Sequence, residues 1–209
     1  MTDYEIIYHV GFSGRAMPVI HLLLEAGLTY TLVAPSWGAD RCVTPNPGHP
    51  VFAPPVLKKG DFHLAQTSAI MQYLGAKHGF APADAEVAAS CSQVTMDAAD
   101  VLAETLNQKK EADKGEKFFS EGGRFSSWAG HFDRILQKSG GPYLFGAEPT
   151  FADFALFSTM ESLYFNYKEK CLAVMPDGFK SWLETMESRP STVAYRALNM
   201  PNLPESFRI

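Results

Sequence analysis

A polar triplet stands in the sequence where a short strand is followed by a helix. Gln66, Thr67 and Ser68 come after the segment "PVLKKGDFHLA" and before "AIMQYL". Free N–H groups in the first turn of a helix, together with the helix dipole, favour a bound anion. A carboxylate at this point would meet backbone donors, a hydroxyl and the amide of Gln66. Simple N-capping by Thr67 or Ser68 is the alternative, but it leaves Gln66 unexplained.

Two adjacent prolines, Pro54 and Pro55, precede the same strand. An X-Pro bond reaches the cis form at modest cost, and a native cis-proline usually marks a fixed, tight turn. A cis bond at Pro55 would turn the backbone ahead of it outward, away from the sheet. A trans Pro-Pro loop before an edge strand is the alternative. Together, the proline pair and the triplet favour a place that holds something small and charged.

The composition excludes several classes of protein. The chain has 209 residues, 46% of them hydrophobic and 20% charged, and a net charge of −5. These values fit one good core or two modest ones and argue against disorder. With a pI near 5.7 and no Lys/Arg stripe, nucleic-acid binding is disfavoured. The start "MTDYEIIYHV" has no basic region typical of a secretory signal, and no apolar run approaches the roughly 20 residues of a membrane helix.

The cysteines indicate a reducing compartment. There are three, they lie far apart, and no C-x-x-C pair occurs, so neither a zinc ribbon nor a dithiol redox motif is predicted. We therefore expect a soluble, cytoplasmic protein without a bound metal.

The first eighty residues predict short strands and helices in the order βαβ–ββα. "YEIIYHV" and "TYTLVAP" are predicted strands, and the helix between them, which must begin near Arg15 because Pro18 fits only a first turn, makes the two strands parallel. "PVLKKGDFHLA" is predicted to be a hairpin that turns at "KKGD". The next helix ends at Gly79, and one of its sides is predicted to carry Ile70, Tyr73, Leu74 and Lys77.

Beyond the break "FAPADAE" the periodicity is helical throughout. Thr150 and Asp153 form a helix-start signal of the S/T-x-x-D type. The predicted helical faces are Val87, Cys91, Val94, Ala98 and Val101; Phe125, Trp128, Phe132 and Ile135; and Phe179, Trp182 and Met186. The sequence thus predicts an α/β domain over 1–80, a linker over 81–85 and an all-helical domain over 86–209.

Four segments, in order along the chain, resemble the cytosolic glutathione transferases. "PPVLKKGDFHLAQTSAIMQYL" resembles their glutathione-binding segment, and "GRAMP" resembles the start of their first helix. "YLFGAEPTFADFAL" resembles a box of their helical domain, and "SRPSTVAY" resembles their C-terminal helix. The resemblance implies a thioredoxin-like first domain, a helical second domain, a homodimer, and glutathione as co-substrate with no tightly bound cofactor.

Residue by residue, the resemblance implies how glutathione would be held. Gln66 and Thr67 would hold its γ-glutamyl end, and Pro55 would be the cis-proline. The residue before that proline normally pairs with the cysteinyl part through N–H and C=O. Pro54 has no N–H, so one hydrogen bond of about 0.5–1.5 kcal/mol is missing.

Further contacts with glutathione are implied in the same way. Trp37 and Arg41 resemble residues that hold the glycyl carboxylate, although Arg41 also fits a solvated loop charge. Asp97 and Asp100 resemble acids that reach the γ-glutamyl amine of the neighbouring subunit in some classes, with a solvated helix face as the alternative for at least one. The implied glutathione contacts also include Arg15 and Val56.

Two hydroxyls compete to activate the glutathione thiol. The family works by stabilising the thiolate, which is the nucleophile. Tyr8 lies near the end of the first strand, where tyrosine-type classes place their catalytic residue, but one extra residue separates it from Gly14 and Arg15. Ser13 lies where serine-type classes place theirs. The alternatives are a half-buried strand tyrosine and a helix-capping serine. We prefer Tyr8 to Ser13.

The resemblance also implies a hydrophobic second substrate between the domains. Phe12, Tyr164 and Phe165 are the candidates, with ordinary core packing as their alternative. Conjugation of glutathione to hydrophobic electrophiles is the predicted function. A transferase-fold protein that catalyses little, and acts as a ligand carrier or a structural or regulatory partner, is the competing hypothesis, because of Pro54 and the spacing of Tyr8.

Overall fold

The structure is a computed structural model that describes residues 2–38, 43 and 49–208. A four-stranded mixed sheet forms its first part. The strand order is β2-β1-β3-β4, with β1 parallel to β2 and antiparallel to β3, and β3 antiparallel to β4. The strands are β1 (Tyr4–Ile7), β2 (Tyr30–Val33), β3 (Val56–Lys59) and β4 (Phe62–Ala65). The parallel pair and the hairpin are those that the sequence predicts.

Two helices belong to the same part of the chain as the sheet, and further helices follow along the chain. They are α1 (Met17–Glu25), α2 (Thr67–His78), α3 (Ala85–Asn107), α4 (Arg124–Ser139), α5 (Phe151–Val174), α6 (Asp177–Glu187) and α7 (Pro190–Ala197). A 3-10 turn over Gly14–Ala16 leads into α1, so the helix begins where Pro18 requires it to. The predicted fold class, a βαβ–ββα unit followed by helices, is confirmed. Within the described ranges, no helix combines the length and apolar character needed to cross a bilayer.

Helix α1 is buried on nearly every side. It packs against α2 and also against α5 and α7 of the helical part. Its residues Met17 to Leu23 are all buried. A helix that is apolar all round is one that is covered all round. Helix α1 therefore joins the sheet layer to the helical layer in one continuous core.

The buried side of α2 differs from the predicted one. Met71 and Gly75 are buried beside Ile70 and Leu74, while Tyr73 is half-buried and Lys77 is exposed. The reason is that α2 also packs against α3 and α5. A Cβ on Gly75 would collide with the ring of Phe151, so the two helices approach each other closely there.

The start of α5 is the most densely hydrogen-bonded helix start in the described chain. Thr150 and Asp153 form a reciprocal capping box, which confirms the predicted start signal. The carboxylate of Asp153 is fully buried and accepts bonds from Leu144 N–H (2.9 Å), Thr150 N–H (2.8 Å), Thr150 Oγ1 (3.0 Å) and Trp182 Nε1 (3.0 Å). One side chain thus ties the preceding loop and α6 to the start of α5.

Asp153→Ala should lower the free energy of unfolding by about 3 kcal/mol or more, because it strands several buried donors. Thr150→Ala should lower it by only about 1 kcal/mol, the usual effect of losing an N-cap. Urea unfolding followed by circular dichroism measures both values. Lys180→Ala, at an exposed ion pair, is the control and should change little. Equal losses for Asp153→Ala and Thr150→Ala would contradict the central role given to Asp153.

Candidate functional site

Tyr8 ends the first strand and places its hydroxyl against the start of α1. Its N–H donates to the Val33 carbonyl (3.0 Å), which continues the parallel pairing. Its Oη accepts a bond from the backbone N–H of Arg15 (2.9 Å). Gly14, at φ +42°, leaves the space for this contact, since a Cβ there would collide with Tyr8 Oη. The loop thus accommodates the extra residue and still brings Tyr8 to Arg15.

The environment of Tyr8 keeps its hydroxyl protonated. Burial raises the pKa of Tyr8, and the N–H and guanidinium of Arg15 oppose that rise without cancelling it. The Arg15 N–H occupies a lone pair of Oη, while the hydroxyl proton has no acceptor among the described residues. Tyr8 can therefore donate one strong hydrogen bond at neutral pH.

The hydroxyl of Ser13 is hydrogen-bonded to residues of the C-terminal part of the chain. It is 1% exposed, and its Oγ lies 2.5 Å from Tyr195 Oη and 3.3 Å from the Pro201 carbonyl oxygen. It makes no side-chain cap to the turn that follows, so the capping alternative is wrong. The two hydroxyls that the sequence left in competition have different surroundings: Ser13 is occupied in the interior, and Tyr8 retains a free proton.

The first turn of α2 has no side-chain cap. Gln66 is its N-cap at φ 70° and ψ 116°, a region that non-glycine residues rarely adopt. The expected N-capping by Thr67 or Ser68 is absent from this helix, because Gln66 holds the N-cap position and both hydroxyl residues lie inside the first turn. Thr67 Oγ1 donates to the Arg15 carbonyl (2.9 Å). The N–H groups of this turn therefore face outward without a side-chain acceptor, which is the arrangement that attracts an anion.

A cavity of about 260 Å³ opens in front of this turn. The starts of α1 and α2 line one side of it, and α3 and α5 line the other. Its lining residues are Gly14, Arg15, Pro18, Gln66, Thr67, Ser68, Thr95, Ala98, Ala99, Asp100, Leu102, Ala103, Ala155, Ser158, Thr159 and Ser162. The small residues of α3 and α5 leave this space open.

Charges of opposite sign meet at the cavity. Arg15 is exposed, and its guanidinium makes no ion pair within the described part of the chain. Asp100 is exposed on α3 and lines the same cavity. Asp97, in contrast, is turned towards His131, whose Nε2 lies 3.2 Å from its carboxylate. Gln66, Thr67, Arg15 and Asp100 thus line one cavity of the same chain, whereas the resemblance implies that Asp100 reaches the glutathione of a neighbouring subunit.

The Pro54–Pro55 peptide bond is cis, which confirms the cis alternative. The side chain of Val56, the next residue, is fully buried in a small core cluster with Ile7 and Val51. The side chain of Val56 is therefore unavailable to a ligand, and its backbone lies in the sheet opposite Ile7 of β1 and Ala65 of β4. Arg41 lies outside the described residues.

An aromatic rim surrounds Tyr8. Phe12 stacks on His9 with a centroid distance of 5.7 Å and an interplanar angle of 10°, and both rings meet Tyr8 edge-on. Trp37 is 47% exposed and lies 6.3 Å from His9. The sequence prediction missed His9, although its position directly after Tyr8 was the available signal.

Tyr164 and Phe165 do not reach this site. Neither lines the cavity, and the guanidinium of Arg208 covers the Phe165 ring at 4.1 Å. Tyr164 follows the cavity-lining Ser162 by two residues and is turned by about 200° around α5. Phe165 follows Ser162 by three residues, which keeps it near the same side of α5, but it lies outside the cavity and under Arg208. Their contact with a second substrate stays a prediction.

Comparison with known proteins places the chain among its relatives. The family model for the glutathione S-transferase C-terminal domain matches residues 95–198. Glutathione S-transferase P 1 of Xenopus laevis is 27% identical over 208 residues, covering 93% of this chain and 92% of that protein. A glutathione S-transferase of Plasmodium yoelii yoelii is 26% identical over 143 residues, covering 68% of this chain and 66% of that protein.

Solved structures share the fold along the whole chain. The Pi-class glutathione S-transferase of Onchocerca volvulus has a TM-score of 0.78 at 18% identity, covering 97% of this chain and 98% of its own. The glutathione S-transferase of Ascaris lumbricoides has a TM-score of 0.72 at 22% identity, covering 97% and 99%. These structures show the fold, and the family match and the sequence relatives assign the family: the chain belongs to the glutathione S-transferases.

Proposed function

We propose that this chain conjugates reduced glutathione to hydrophobic electrophiles through a thiolate that Tyr8 stabilises. The observation that carries the proposal is the Tyr8 hydroxyl, which accepts from the Arg15 N–H and keeps its own proton free. A hydroxyl that donates to sulfur favours the ionised thiol, and the thiolate is the nucleophile. Lowering a thiol pKa by about 2 corresponds to roughly 2.7 kcal/mol.

The charges around the cavity suit the γ-glutamyl end of glutathione. Its carboxylate would bind at the uncapped first turn of α2, beside Gln66, Thr67 and the Arg15 guanidinium. Its ammonium would face Asp100, which lines the cavity of the same chain. A group carrying both charges is thus matched by positive and negative partners on opposite sides.

The rest of the tripeptide would lie along the turn before β3. Pro54 offers its carbonyl but no N–H, and Trp37 stands near the aromatic rim for the glycyl end. Arg41 is a further candidate at that end.

In the proposed reaction the thiol loses its proton to solvent as glutathione binds. The thiolate attacks an electrophilic carbon, the C–S bond forms, and the leaving group departs with the electrons of the broken bond. Tyr8 keeps its proton throughout. Phe12 and His9 offer the apolar electrophile a flat surface beside the sulfur. Detoxification of such electrophiles is the role that this reaction would serve.

Pro54 favours one competing function, that of a carrier with little turnover, because a missing N–H weakens the grip on the cysteinyl part. Retention on immobilised glutathione combined with an assay of 1-chloro-2,4-dinitrobenzene conjugation separates the two. Turnover supports the enzyme, whereas ligand binding without turnover supports the carrier.

We also propose that the protein acts as a homodimer in the cytoplasm. Phe52 is 70% exposed just before the Pro54–Pro55 turn. A groove of about 400 Å³ between α3 and α4, with Val94, Ile135 and Phe145 in its lining, offers a second copy's Phe52 an apolar place. Burying a phenylalanine contributes about 1.5–3 kcal/mol. The buried, unpaired thiols of Cys91 and Cys171 agree with a reducing compartment.

Tyr8→Phe should lower kcat for conjugation by about 10- to 100-fold, since a hydrogen bond to a charged group contributes about 1.5–3 kcal/mol. The rate should recover as pH rises, because the thiol pKa returns towards its free value. The initial rate with 1-chloro-2,4-dinitrobenzene between pH 6 and 9 measures both effects.

Tyr4→Phe is the matched control on the same strand, where the hydroxyl meets His78, and it should leave the rate unchanged. Full activity in Tyr8→Phe together with a loss of tenfold or more in Ser13→Ala would assign the activation to Ser13 instead.

Arg15→Gln should raise the KM for glutathione by about tenfold while kcat changes little, because the guanidinium is proposed to bind the carboxylate while the backbone N–H that holds Tyr8 is retained. Steady-state kinetics with varied glutathione measures the split. Arg134→Gln, an exposed arginine on α4, should have no effect. A large fall in kcat with unchanged KM would refute carboxylate binding by the Arg15 side chain.

Phe52→Ser should shift the protein from dimer to monomer at micromolar concentration, since it removes the side chain proposed to fill the partner's groove. Sedimentation velocity measures the mass, and circular dichroism checks the fold. Val193→Ser, at an apolar residue of α7 that is 61% exposed, is the control. A wild-type protein that sediments as a monomer would rule the dimer out.

A further inference from the structure

The C-terminal segment is bonded to the loop that carries the site. The N–H of Ser13 donates to the Pro201 carbonyl (2.9 Å), and the N–H of Gly14 donates to the Asn202 carbonyl (2.8 Å). Ser13 and Gly14 directly precede Arg15, whose N–H binds Tyr8. Two backbone bonds from the far end of the chain therefore fix the peptide groups next to the Tyr8 contact.

A directional chain of side-chain hydrogen bonds fixes Asn202 in turn. Tyr195 Oη donates to Asn202 Oδ1 (3.0 Å), and Asn202 Nδ2 donates to the Glu161 carbonyl on α5 (3.1 Å). With its proton used in this way, Tyr195 Oη accepts from Ser13 Oγ at 2.5 Å. Burial raises the pKa of Tyr195 to about 12, so the chain keeps its protons over the working pH range.

The surroundings of Tyr195 make this chain rigid. Tyr195 is buried, and its ring lies 4.3 Å from the ring of His21 on α1. The C-terminal segment is thus attached through α7 to α1, the buried helix that begins beside the site.

A displacement at Gly14 would reach Tyr8 directly. Gly14 is in van der Waals proximity to Tyr8 Oη, so close that a Cβ would not fit. The carbonyl of Arg15 is held independently by Thr67 Oγ1. Loosening the tail would therefore disturb the N–H side of Arg15, which faces Tyr8, more than the first turn of α2.

We infer that Tyr195 and Asn202 are positioning residues, which aim the Tyr8 hydroxyl at the sulfur through Gly14 and the Arg15 N–H. The inference rests on the proposed function. Neither side chain lines the cavity, so the effect should fall on the thiolate and not on the affinity for glutathione.

The test is Tyr195→Phe, which removes the bridging hydroxyl and keeps the ring against His21. We expect kcat for 1-chloro-2,4-dinitrobenzene conjugation to fall about fivefold to tenfold, with the KM for glutathione within about twofold of wild type. The pKa of the bound thiol, followed by thiolate absorbance near 240 nm, should rise. Asn202→Leu should behave in the same way.

A double-mutant cycle separates positioning from general loosening. Tyr195→Phe and Ser13→Ala break the same chain, so the double variant should be hardly worse than the stronger single one. Arg208→Gln is the matched control, because it releases the distal end of the same tail at Phe165 and touches neither Ser13 nor Gly14. It should leave kcat and the thiol pKa unchanged, and thermal unfolding confirms that each variant is folded.

Two results would overturn the inference. One is an unchanged bound-thiol pKa in folded Tyr195→Phe and Asn202→Leu, and the other is an equal effect in Arg208→Gln. The thiol pKa can be measured without turnover, so a wild type that binds glutathione without conjugating it refutes the proposed function while the positioning is still tested. A wild type that does not bind glutathione refutes both.

Discussion

The site depends on the backbone of Arg15, whose N–H and carbonyl are both held by hydrogen bonds. Its N–H binds the Tyr8 hydroxyl, and its carbonyl accepts from Thr67 at the first turn of α2. One residue therefore fixes the distance between the proposed sulfur-binding hydroxyl and the proposed carboxylate-binding turn. The turn that Arg15 anchors in this way is also the one whose N-cap residue, Gln66, makes no side-chain cap.

The electrostatics of the cavity depend on the small side chains that line it. Ala98, Ala99, Ala155 and Ser158 leave space where larger residues would close the gap between α3 and α5. Arg15 and Asp100 consequently face an open volume, and neither forms an ion pair with another residue that the structure describes. A cavity that is polar at its mouth and lined by short residues behind it suits a zwitterionic end group better than an apolar one.

Most of the fold follows from local patterns, whereas the site depends on long-range contacts that such patterns do not encode. Periodicity located the helices, and Thr150 with Asp153 marked the start of α5, because these signals lie within a few residues of one another. Local patterns did not indicate that Gly75 of α2 is buried, because that burial comes from its close packing on Phe151. Ser13 could not be separated from Tyr8 by sequence, since its partner Tyr195 lies 182 positions away. Tyr164 and Phe165 were chosen for their chemistry, and local patterns could not show that Tyr164 is turned away around α5 or that Arg208 covers Phe165.

The burial of α1 on all sides has a consequence for how such a chain can be divided. Its outer face, which carries His21 against Phe157 and Tyr195, packs against α5 and α7. The α/β half and the helical half are therefore not interchangeable modules. Exchanging one half between distant relatives would succeed only where the side chains of α1, α5 and α7 still fit together. The two halves are therefore expected to be inherited as a unit.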